Sequence, residues 1–185
     1  MQTLDLRTFI MDRFSEISSK EKKKSIVIPV PEAIPVTPKL CHKSEQRNAF
    51  ITEATRIGSN SYSLEAKVDH IAEGFFFDHE IDHLPGMLSS CIIRQGSLVV
   101  CHLFENVGFD KKFVLTDVTT KFTAWAELNS PVTVRCYLTE KKYRDGLAEA
   151  NFIADLYQND KKVAEGNARL KIYPKDVYKK LRLRK

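Results

Sequence analysis

The chain has 185 residues, 43% of them hydrophobic and 29% charged. That length is ordinary for one domain and the apolar share is enough for a core, which excludes a wholly disordered chain. No apolar run approaches the ~20 residues that cross a bilayer, and the opening MQTLDLRTFIMDRFSE carries acids inside its apolar stretch, so neither a membrane span nor a signal peptide is expected. Cysteines at 41, 91, 101 and 136 show neither CxxC pairing nor the density of a disulfide scaffold, and a reducing cytoplasm is the expected setting.

Basic residues outnumber acidic ones by 29 to 24, and the excess is local. The last eleven residues, KDVYKKLRLRK, hold six Lys/Arg against one Asp, so residues 1–174 balance at 23 to 23. A basic tail on a neutral body can grip phosphate, an acidic carrier protein or an anionic membrane face, or simply stay solvated. Without a helix-turn-helix or an aromatic stacking platform it offers attraction and no readout, so no nucleic-acid partner is expected.

In chain order, Leu6, Phe9, Ile10, Phe14 and Ile17 recur at helical spacing and predict an amphipathic helix over 4–17. IVIPVPEAIPVTP follows, with prolines at 29, 31, 35 and 38, and reads as an extended connector. AFITEATRI, SYSLEAKVD, KFVLTDVTTKFTAW, PVTVRCYLTE, LAEANFIADLYQ and KVAEGNARLKIY read as strands, separated by turn residues such as Gly58-Ser59-Asn60 and Asn159-Asp160. Leu84 to Glu105 stands apart, being apolar nearly all round, as a buried helix is. Gly96 inside it costs about 1 kcal/mol against Ala, which points to close packing there. The expected fold is α+β, an antiparallel sheet wrapped around one long central helix. The expected organisation is residues 1–40 as helix and connector, 41–175 as the domain and 176–185 as a basic tail.

Core logic fails at GFFFDHEIDHLPGMLSSCIIRQ, residues 74–95, where Asp78, His79, Glu80, Asp82 and His83 crowd in front of Pro85-Gly86. Proline suits a first helical turn, glycine admits a close approach to the backbone, and the free N–H groups with the positive dipole end suit an oxygen that becomes negative in a reaction. His79 can serve as a general base or cap the loop. His83 can cap the helix or face a substrate. Asp78 and Asp82 either orient these imidazoles or bond loop amides. As a D-H-x-x-D-H metal cluster the segment is poor, because Pro85 disfavours helix just before it and no distant ligand is evident; no metal or other cofactor is expected. Cys91 and Gln95 share a helix face and so a pocket, while Arg94 turns about 100° away, toward an acid or a substrate phosphate.

FFFDHEIDHLPGML with Arg94-Gln95, and Cys41-His42-Lys43 and ITEATRIGSNSYSLEAKV upstream, resembles the A-factor biosynthesis hotdog family and, more loosely, the β-hydroxyacyl carrier-protein dehydratases. The resemblance implies a single hotdog fold and acyl thioesters as substrates, carried by acyl carrier protein or coenzyme A. It also implies a site between two hotdog units, with catalytic residues among His79, His83 and Asp78 and substrate-binding residues Gly86, Met87, Cys91, Arg94 and Gln95. The implied activity is transfer of a β-ketoacyl group from acyl carrier protein to a small hydroxylated acceptor such as dihydroxyacetone phosphate. With one repeat in the chain, a homodimer must supply the second unit. Cys91 stands where the dehydratases carry a glutamate, which favours acyl transfer or acyl binding over water elimination. A thioesterase, a dehydratase and a non-catalytic acyl-binding protein remain the alternatives.

Overall fold

The computed structural model describes residues 32–68, 81–128, 130–143 and 147–183. The helix expected over 4–17 lies outside these residues, as do Asp78, His79 and the phenylalanine run before them.

Alternation of apolar and polar residues builds the long strands. In β5 (Val132–Tyr143), Val132, Val134, Cys136 and Leu138 point inward between polar neighbours, and in β6 (Leu147–Gln158), Ala150, Phe152, Ala154 and Leu156 do the same. A two-residue turn at Asn159-Asp160, both left-handed with φ of 49° and 60°, leads into β7 (Lys161–Pro174). Asn and Asp tolerate that backbone, and its twist matches paired strands. Before the helix come β1 (Ile34–Pro35), β2 (Ile51–Arg56) and β3 (Ser61–Ala66), and after it β4 (Lys111–Phe122). All neighbours are antiparallel, in the order β1-β2-β3-β5-β6-β7-β4, so the proline-rich connector ends as an edge strand on β2.

Helix α1 (Gly86–Leu103) touches every strand from β2 to β7, so the sheet curves around it as expected. Its buried residues, from Leu88 to Cys101, face nearly all directions. Gly96 is in ordinary van der Waals surroundings, a built Cβ lying 3.8 Å from Cys136 and 3.9 Å from Leu64. The expected tight approach falls instead at Gly166 of β7, where a Cβ would meet the Thr119 carbonyl oxygen and come within 2.8 Å of Ile93 Cδ1. The basic tail is not merely extended chain, since Lys175–Leu183 forms a second helix, α2, with no buried residue. Among the described residues no helix is long and apolar enough to cross a membrane.

Candidate active site at the mouth of the central helix

Pro85 begins α1 without any side-chain cap, so the first amides of the helix keep their donors. The Leu88 N–H reaches the Pro85 carbonyl at 2.9 Å, while the Gly86 and Met87 N–H groups have no protein partner among the described residues. A cavity of about 400 Å³ opens at this point. His83, Gly86 and Ser89 line it on one side; Phe122, Trp125 and Val163 line it on the other.

The His83 segment is held by backbone pairing. His83 bridges Glu127, and the Leu84 N–H donates to the Ala126 carbonyl at 2.8 Å. The His83 ring stands edge-on to Trp125 with centroids 4.6 Å apart, and its Nδ1 lies 2.8 Å from Asp82 Oδ1. That hydrogen bond holds the Asp82 carboxyl below the usual carboxylate range. In the neutral tautomer that donates Nδ1–H to Asp82, Nε2 keeps its lone pair, the arrangement a general base needs. Trp125 is 75% exposed and Phe122 54%, so both are available to a ligand at the cavity rim. Phe122 also explains Gly86: a Cβ there would stand 2.8 Å from its ring, so an aromatic side chain of this protein already uses the close approach that glycine permits.

Of the residues expected from sequence, the structure therefore brings His83 and Gly86 together. Met87 is 65% exposed beside them. Cys91, Arg94 and Gln95 do not line this cavity. Gln95 is fully buried and bonded to backbone: Oε1 accepts the Phe50 N–H at 2.8 Å and Nε2 donates to the Asn48 carbonyl at 2.9 Å. Its Nε2 also lies 3.6 Å from Cys91 Sγ, so the shared face read from their spacing is real. Arg94 is half-buried near Cys41 and His42, and its guanidinium has no ion pair among the described residues. His42 and His102 meet at 2.9 Å between their Nε2 atoms. Burial pushes the Cys41 thiol up to about 11 and Cys136 to about 12, so neither is a ready nucleophile. No group of three His, Cys, Asp or Glu converges among the described residues to hold a metal.

Sequence reasoning missed the supports. Gln158, at the inward end of β6, binds backbone groups of Glu127 and Ser130 and so fixes the segment on which His83 is pinned. Trp125 and Phe122 stand at the rim, and no local signal in the sequence separates such aromatics from core ones.

The family model for the A-factor biosynthesis hotdog domain matches residues 28–174. The chain belongs to that family. As an A-factor biosynthesis hotdog protein it shares its fold with solved structures at low identity. A dehydratase heterocomplex from Xenorhabdus doucetiae aligns with a TM-score of 0.61 at 14% identity, over 82% of this chain and 99% of that one. A thioesterase from Haemophilus influenzae gives 0.51 at 15%, over 74% and 87%. A hot-dog-like protein from Thermanaerovibrio acidaminovorans gives 0.51 at 10%, over 65% and 86%. No match is found among curated protein sequences. The family match ends at the last residue of β7, so α2 lies beyond it.

Proposed function

We propose that this hotdog protein acts on acyl thioesters, and most closely that it transfers a β-ketoacyl group from a carrier protein to a small hydroxylated acceptor such as dihydroxyacetone phosphate. The observation that carries this reading is the helix-mouth cavity of about 400 Å³, lined by an imidazole with a carboxylate at its Nδ1 and by Gly86, whose backbone N–H, like that of Met87 next to it, has no protein partner among the described residues. The Gly86 and Met87 amides receive the thioester oxygen and stabilise the negative charge it gains on attack. His83 Nε2 takes the acceptor's hydroxyl proton as its oxygen bonds to the carbonyl carbon. The C–S bond then breaks, and the imidazolium returns the proton to the leaving thiolate. His79, which follows Asp78 in sequence, belongs to the same proposal as a second imidazole; Arg94 does not line this cavity, so a role for it toward an acceptor phosphate would need a path from outside it.

Two copies complete the site in this reading. β4 is an edge strand of twelve residues, paired on one side to β7 and none of them buried, and Phe122 at its end stands against Gly86 and lines the cavity with exposed Trp125. A long edge, unpaired among the described residues and flanked by exposed apolar side chains, is a natural seat for a second copy.

The test is intact-mass analysis of full-length protein with β-ketoacyl carrier protein and dihydroxyacetone phosphate. Transfer of the acyl mass to the acceptor, reduced about 10² to 10⁴-fold in His83→Ala, is expected. Release of free acid without acceptor acylation makes the protein a thioesterase, and undiminished transfer by a folded His83→Ala variant removes His83 from the chemistry.

A further inference from the structure

Among the described residues no fully buried side-chain nitrogen or oxygen lacks a partner, and the polar side chains around the central helix are bonded, so an unbonded hydroxyl here must keep some open surface. Gln95 is bonded to Phe50 and Asn48, Gln158 to Glu127 and Ser130, and the Ser97 hydroxyl to the Arg94 carbonyl three residues back. Ser90 shares a 2.7 Å hydrogen bond with Thr120, and the Thr123 hydroxyl donates to the Lys162 carbonyl. Ser89 is 4% exposed, lines the helix-mouth cavity and has no side-chain partner among the described residues. Its nearest helical acceptor, the Pro85 carbonyl, already faces the Leu88 and Ser89 N–H groups at 2.9 and 3.4 Å.

We propose that Ser89 is the specificity residue of this cavity, selecting acyl thioesters that carry an oxygen on the third carbon of the acyl chain. The inference rests on the acyl-thioester reading above. The walls around Ser89 are largely apolar, formed by Leu84, Phe122, Ala124, Ala126 and Val163, and the hydroxyl of Thr123, which also lines the cavity, is donated to the Lys162 carbonyl. A plain alkyl chain filling that space would bury the hydroxyl with nothing to bond, which binding penalises. Three residues along a helix is about 4.5 Å, so Ser89 lies one turn deeper than the Gly86 amide. With the thioester oxygen on the Gly86 and Met87 amides, the third carbon is two bonds further along the acyl chain and its oxygen one bond more, which spans that rise. A serine hydroxyl donates to a ketone and both donates to and accepts from an alcohol, so either oxygenation state fits. His83 is not a competing reader at this depth, because its Nδ1 is held by Asp82 and its Nε2 serves the acceptor.

The experiment is calorimetric titration of the full-length protein with three hydrolysis-resistant, amide-linked pantetheine conjugates: 3-oxohexanoyl, 3-hydroxyhexanoyl and hexanoyl. The wild type is expected to bind the oxygenated pair about tenfold or more tightly than the hexanoyl conjugate, because the unoxygenated chain strands a buried hydroxyl. Ser89→Ala is expected to bring all three within about twofold, weakening the oxygenated ligands and tightening hexanoyl. Alanine is smaller and a better helix former, and a melting curve checks that the variant folds. Equal binding of all three by the wild type, or a preference that survives in Ser89→Ala, overturns the role of Ser89 and leaves the acyl-thioester reading standing. If no conjugate binds the wild type at millimolar concentration, both fall.

Discussion

Gln158 and Glu127 hold each other by two hydrogen bonds: the Glu127 N–H donates to Gln158 Oε1 at 2.7 Å, and Gln158 Nε2 donates to the Glu127 carbonyl at 2.9 Å. Since Glu127 is the residue that pairs with His83, a carboxamide on β6 sets the position of an imidazole it never touches. Replacing Gln158 by Leu keeps the volume and removes every one of these bonds. The expected cost is about 1–3 kcal/mol in urea unfolding, with a fall in acyl transfer. Unchanged unfolding would show that the 127–130 segment holds itself.

The glycines give opposite expectations. Gly96→Ala meets only ordinary contacts and gains helix propensity, so stability should stay level or rise by up to about 1 kcal/mol. At Gly166 a methyl group collides with the Thr119 carbonyl and with Ile93, and a loss of about 1–3 kcal/mol is expected. Thermal melts of the two variants side by side decide it, and destabilisation by Gly96→Ala would mean that the helix packs more tightly than 3.8 Å implies.

Much of this architecture was legible in the sequence. The inward alternation of Val132, Val134, Cys136 and Leu138, and the apolar run from Leu88 to Cys101, announce a sheet around a buried helix. Pro85-Gly86 announces the helix mouth, because backbone chemistry limits where that pair can stand. Long-range partners were not legible. Gln95 looks the same in sequence whether it faces a substrate or the Phe50 amide, 45 residues away. Phe122 and Trp125 reach the cavity only because β4 crosses to the sheet edge beyond β7, a matter of topology that no local pattern records.

A pH effect follows from His42. Its ring is packed among His102 and Phe113, and burial first, then His102, Arg94 and Lys112, push its pKa from 6.5 down to about 4. His102 is also lowered, by burial. The unfolded chain therefore binds more protons than the folded one between the two pKa values, so stability falls as pH drops from about 6.5 toward 4 and is flat above. Asn suits the left-handed backbone at this position, where φ is 55°. His42→Asn should flatten the decline in melting temperature over that window, and an identical slope would place its origin elsewhere.

Cys91 offers a test of the acid that is missing. Because Cys91 is off the walls of the helix-mouth cavity, Cys91→Ala should leave transfer within a few-fold of wild type. The wild type should form no enoyl product from β-hydroxyacyl thioesters, since a thiol off the cavity walls cannot stand in for a carboxylic acid placed to protonate a departing hydroxyl. Ultraviolet detection of enoyl thioester, or abolished transfer in a folded Cys91→Ala variant, would make Cys91 catalytic.

Strand β4 acts as a ruler. Near one end Lys112 joins Lys175, Lys179 and Arg182 of α2 around a groove, and at the other end Phe122 covers Gly86. Ten residues of strand set these places at most roughly 33 Å apart, up to about three screening lengths in 0.1 M salt, where one is ~10 Å. Within one subunit the cations of α2 are thus nearly screened from His83, so under the proposed function added salt would loosen anything held by α2 with little effect on acyl chemistry at the helix mouth. In that reading, binding and turnover would respond to salt independently.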